Sequence, residues 1–147
     1  MGDGPLMTQF KDEANDLNVI FTGRLEYNKM CGILVECDMV VNLIVGTSVA
    51  SIINKHADYA SSGRPIINTQ KSEEYRSLLD KYEMGFNCKN EIELAYRIQM
   101  LKNNPTLRFG LGDAARICAE ERFDRAKTYR RIVEMIKKGN SNEEKNK

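Results

Sequence analysis

The stretch Asp38-Met39-Val40-Val41-Asn42-Leu43-Ile44-Val45, followed by the turn-prone Gly46-Thr47-Ser48, is apolar on both faces except at Asn42. A strand with that pattern has no side to offer water, so it belongs in a parallel sheet covered by helices above and below. Working outward, Asn18-Val19-Ile20-Phe21-Thr22 reads as an earlier strand ended by Gly23. Pro65-Ile66-Ile67 reads as a third and Gly85-Phe86-Asn87-Cys88 as a weaker fourth. Strands separated by helical stretches predict an α/β fold, here a doubly wound parallel sheet with helices on both faces and a helical C-terminus.

The helical stretches carry their own punctuation. Ser72 is placed to cap a helix over about Glu73 to Tyr82, with Glu73 and Glu74 in the first turn and Tyr75, Leu78, Leu79 and Tyr82 in one apolar stripe. Asn90 precedes a second, with Leu94, Ile98 and Leu101 on one face. Asn104-Pro105 reads as a cap followed by proline at the first helical position, and Leu107, Leu111, Ala114 and Cys118 continue at helical spacing. A last helix, Asp124 to Lys138, is expected to bury Ala126, Tyr129, Val133 and Ile136. The polar run from Gly139 to Lys147 is expected to be disordered, so residues 1–138 form one domain and 139–147 a tail.

Composition excludes several classes. The chain has 147 residues, of which 41% are hydrophobic and 29% charged, and its 22 Lys+Arg against 21 Asp+Glu leave a formal charge of +1. That balance lacks the basic excess a general nucleic-acid binder uses to displace counterions. The apolar runs fall far short of the ~20 residues a membrane-spanning helix needs, and the N-terminus lacks the basic flank and apolar core of a secretory signal. A cytoplasmic protein is expected. Cys31, Cys37, Cys88 and Cys118 are irregularly spaced without any C-x-x-C, so they read as reduced, mostly buried thiols rather than a zinc site or a disulfide framework. Arg122, Arg125, Lys127, Arg130, Arg131, Lys137 and Lys138 of the final helix could touch an anionic membrane surface peripherally; Glu120, Glu121, Asp124 and Glu134 make a solvated charged face the competing reading.

In an open parallel sheet, ligands sit beyond the carboxyl ends of the strands. Two loops have that position: Gly23-Arg24-Leu25-Glu26-Tyr27 after the first strand, and Gly46 to Ser51 after the second, opening into a helix that holds Asn54, Lys55 and Asp58. A helix N-terminus reached through small residues offers free amides and partial positive charge to a phosphate, and Lys55 adds a full charge. Asp58 is one turn beyond Asn54, where its carboxylate could reach a sugar diol. The alternative is that Asn54 caps the helix and Lys55 and Asp58 form an ordinary exposed pair. His56, two positions before Asp58, faces away from it and reads as a packing or surface residue.

The run Ser51-Ile52-Ile53-Asn54-Lys55-His56-Ala57-Asp58-Tyr59-Ala60-Ser61-Ser62-Gly63-Arg64-Pro65-Ile66-Ile67-Asn68 resembles the S-x-P-N-K-x-x-D-Y-x-A-x-G-x-P-V-I-N stretch of bacterial GT-B glycosyltransferases of family 4, the capsule and O-antigen type. Val19 to Gly23 is similar to the V-x-F-x-G strand upstream of it, and Glu74 through Phe86 to E-x-x-x-L-I-x-x-x-x-x-G-F. Asn104 to Arg108 and Gly112 to Arg116 resemble the closing N-P-x-L-R and G-x-x-A-R. Together these cover most of residues 18 to 123. Ala50 stands where the family has its first motif glutamate, and Ile53 where it has the proline of the N-K motif.

The resemblance implies that the doubly wound α/β fold is a partial Rossmann-like sheet, the donor-binding domain of a transferase that takes a sugar from a UDP- or GDP-sugar to a saccharide or lipid-linked acceptor in surface polysaccharide synthesis. It implies no metal and no separate cofactor. The helix near Asn54 would hold the diphosphate, Asp58 the ribose hydroxyls, Gly23-Arg24 would border the base, and Ser51, Asn54 and Lys55 would line the phosphate and donor sugar. Gly2-Asp3-Gly4-Pro5 resembles the turn after the donor domain's second strand, so the chain is expected to begin partway through that domain, to need an acceptor domain as partner and to transfer nothing alone. Other readings are a nucleotide-sugar 2-epimerase-like GT-B enzyme, and a non-catalytic interaction module whose exposed sheet edge favours self-association.

Overall fold

A computed structural model describes residues 2–44 and 52–144. They fall into two compact units, Met1–Glu36 and Cys37–Lys147; no shift in composition marks the division.

The first unit holds α1 (Met7–Glu13) and α2 (Tyr27–Glu36). Neither helix was marked by the apolar alternation of the sequence, since α1 has no buried residue and α2 buries only Leu34. Between them, Asn18 to Thr22 is not a strand. Val19 is 50% and Ile20 84% exposed, and no described segment pairs with them. β-rich composition supplies side chains suited to a sheet, but a strand exists only where a neighbour takes its amides and carbonyls. The Gly23-Arg24 loop therefore does not sit at the end of a sheet strand.

The second unit is built on a three-stranded parallel sheet in the order β1 (Val40–Asn42), β2 (Ile66–Asn68), β3 (Gly85–Asn87). The register pairs Val40 with Ile66 and Asn42 with Asn68, then Ile66 with Gly85 and Asn68 with Asn87. β1 is shorter than the apolar run that marks it, and each of the three strands ends on an asparagine. Residues 45–51, the end of the expected second strand and the loop after it, lie outside the described residues.

Alternation along the strands divides the sheet into two faces. Val41, Ile67 and Phe86 join a core with Leu94, Ile98 and Leu101 of α5 (Glu91–Asn103) and Leu107 and Leu111 of α6 (Pro105–Cys118). The asparagines point to the opposite face, where α3 (Asn54–Ser61) and α4 (Glu73–Tyr82) pack. The helix signals read from the sequence hold. Ser72 accepts from the Tyr75 amide, Asn90 from Glu93 and Asn104 from Leu107, with Pro105 at the start of α6. Gly112 is the point where α6 meets the turn after α3, since a Cβ there would run into the Gly63 carbonyl.

α6 continues into a π-turn, Ala119–Phe123, and then α7 (Arg125–Glu144). The backbone thus stays helical past Gly139, within the stretch whose composition predicts disorder; residues 145–147 lie outside the described part. Ala126, Tyr129, Val133 and Ile136, expected in the core, are exposed. Periodicity marks an apolar stripe but does not supply the surface that covers it. None of the four cysteines is in a disulfide; Cys88 and Cys118 are buried, Cys31 and Cys37 half-buried. Among the described residues no helix is long and apolar enough to cross a membrane.

Candidate functional site

The carboxyl ends of the strands carry a ladder of side-chain amides. Asn42 Nδ2 donates to Asn68 Oδ1 at 2.8 Å, Asn68 Nδ2 to Asn87 Oδ1 at 2.8 Å, and Asn87 Nδ2 to Asp80 Oδ1 on α4 at 2.7 Å. Each link runs the same way, from β1 towards α4. The orientation of Asn68 is fixed by Gln70, whose amide donates to Asn68 Oδ1 and whose carbonyl accepts from Asn68 Nδ2, both at 3.1 Å. Asn42, Asn68 and Gln70 are fully buried, so these bonds replace the water the groups would otherwise hold, except at Asn42 Oδ1, which has no hydrogen-bond partner among the described residues.

His56 joins the ladder to α3. It is fully buried and stacks on Tyr75, with ring centroids 3.4 Å apart and 6° between planes. Its Nδ1 accepts from the Ile53 amide at 3.2 Å, which leaves the ring proton on Nε2. That proton goes to Gln70, whose Oε1 also accepts from Asn42 Nδ2 at 3.1 Å. Burial, reinforced by the charge of Lys55, pushes the imidazole down to about 4, only partly opposed by the Gln70 bond. His56 is therefore neutral at physiological pH, a packing and positioning residue as its spacing suggests. Burial also raises the Tyr75 phenol and lowers the Lys55 ammonium.

These bonds set the start of α3. The cap position is Ile53, not Asn54; Asn54 is the first helical residue and is exposed. An isoleucine side chain has no oxygen, so the first-turn amides receive no side-chain cap. Lys55 and Asp58 are half-buried on the same helix. The Asp58 charge raises the Tyr59 phenol, an effect second to that residue's burial.

The structure thus groups Asn54, Lys55 and Asp58 in the first two turns of one helix. Ser51 lies outside the described residues. Gly23 and Arg24 belong to the other unit, where Gly23, at φ +63°, accepts from the Gly2 amide and lines an open cavity of about 590 Å³ with Pro5, Phe10 and Ile20. Arg24 is exposed. Sequence reasoning missed Asn42, Asn68, Gln70 and Asn87. The available signal was an asparagine closing each of three apolar strands, which only the register turns into a ladder. Among the described residues no cluster of His, Cys, Asp and Glu is arranged to hold a metal ion. No protein-family model matches the chain, and no curated protein or solved structure does.

Proposed function

We propose that this chain is the nucleotide-sugar-binding part of a GT-B glycosyltransferase, acting on a UDP- or GDP-sugar in surface polysaccharide synthesis. The observation that supports this reading is the uncapped start of α3, which follows an apolar strand of a parallel sheet and carries Lys55 and Asp58 half-buried within its first two turns. In a Rossmann-like doubly wound sheet, the helix that follows a strand's carboxyl end is where a diphosphate settles, held by amides and the positive end of the helix dipole. Negative charge grows on that diphosphate as its bond to the donor sugar breaks. Fixed amides and Lys55 stabilise it without needing to reorganise. A phosphate beside Lys55 would also offset the burial that disfavours its ammonium form. The Asp58 carboxylate accepts hydrogen bonds only, which suits a vicinal diol such as ribose.

Thermal unfolding with and without UDP or GDP tests the reading. One of the two nucleotides raises the melting temperature, and Asp58→Ala removes the rise. No response to either nucleotide would overturn the assignment, and a full response in Asp58→Ala would refute the ribose role.

A further inference from the structure

Over residues 125–137, α7 buries no side chain. Tyr129, Ile132, Val133 and Ile136 are 60%, 47%, 49% and 58% exposed, and their spacing puts them within about 100° of the helix circumference. They make one continuous apolar stripe. The polar remainder of the same stretch is strongly unbalanced: five basic residues stand against Glu134 alone. Arg130 and Lys137 fall beside the stripe at helical spacing, whereas Glu134 falls near the opposite side.

The acids just before the helix cancel only part of that charge. Asp124 pairs with Lys127 of α7 at 4.0 Å, whereas Glu120 is engaged by Arg116 at 2.9 Å and Glu121 by the Tyr82 hydroxyl at 2.8 Å, both outside it. An apolar stripe bordered by cations is complementary to a bilayer surface bearing anionic headgroups: the stripe enters the acyl boundary while the arginine and lysine heads stay among the phosphates. A second copy of α7 would instead bring two basic helices together, with only Glu134 from each to oppose them.

We propose that α7 is an interfacial anchor that lies in the surface of an anionic membrane, independently of any nucleotide bound elsewhere. Cosedimentation of the full chain with phosphatidylcholine vesicles, with and without phosphatidylglycerol, tests it. Binding is expected only to the mixed vesicles and should weaken as salt is raised. The double variant Ile132→Ser/Ile136→Ser should lose it. Arg130→Gln/Lys137→Gln should bind roughly thirtyfold more weakly, from about fivefold per surface-adjacent cation. Since none of these side chains is buried, each variant should keep the parent's melting temperature. Equal binding to pure phosphatidylcholine, full retention in the Ile132→Ser/Ile136→Ser variant, or concentration-dependent dimerisation without vesicle binding would each overturn the proposal.

Discussion

Asn42 donates its side-chain amide to Asn68 at 2.8 Å where the two residues are also direct partners in the β1–β2 register. Backbone pairing and side-chain bonding thus specify the same alignment. A slip of β1 by one residue would carry the Asn42 amide to the other face, away from Asn68 and into the apolar core around Ile67 and Leu101.

Asn68 is the centre of the ladder, and its removal strands the Asn42 amide, the Asn87 carbonyl oxygen and the Gln70 amide together. Asn68→Ala should cost about 2–4 kcal/mol in urea unfolding. Asn87→Ala, at the partly exposed end beside Asp80, should cost less. An equal loss at the two positions would contradict the ladder as a directional network.

His56 makes stability depend on pH. Its folded-state value, about 4, lies below the ordinary 6.5, so the unfolded chain takes up the proton first. The contribution is complete above pH 6.5 and is lost as the pH falls towards 4, a difference on the order of 3 kcal/mol. His56→Gln should flatten that part of the profile, read as the difference between the two proteins' urea midpoints across the same range.

Gly112 and Gly110 share α6 but should respond oppositely to alanine. At Gly112 the added methyl meets the Gly63 carbonyl, whereas at Gly110 it meets nothing within 4 Å. Gly112→Ala should destabilise by about 2 kcal/mol or more as the α3 turn is pushed away. Gly110→Ala should stabilise by roughly 0.5–1 kcal/mol through helix propensity. Melting temperatures of the two variants separate the effects.

Thiol reactivity should divide the cysteines. Burial pushes Cys118 up to about 11 and also raises Cys88, so neither offers much thiolate near neutral pH. Cys31 and Cys37, half-buried, should be alkylated in the native protein, with Cys88 and Cys118 following only on unfolding. Mass spectrometry after iodoacetamide treatment reads this directly; rapid native labelling of Cys118 would contradict its burial.

The sequence alone determined what is local. The caps at Ser72, Asn90 and Asn104, the proline at the start of α6 and the parallel character of strands apolar on both faces follow from contacts within a few residues or from burial preference, and the structure has them all. Tertiary structure decided what depends on a partner distant in the chain. Val19 to Thr22 has the composition of a strand but no paired neighbour among the described residues, and Tyr129, Val133 and Ile136 form a core-like stripe with no core over it. Conversely, the asparagines at 42, 68 and 87 look like three unrelated polar strand ends until the register aligns them. His56 became a member of that network because its burial and its contacts come from the segment after β2, where Gln70 takes its ring proton, and from α4, where Tyr75 stacks on it. Hydrogen bonding and burial are pairwise quantities, and a single chain position carries only half of each.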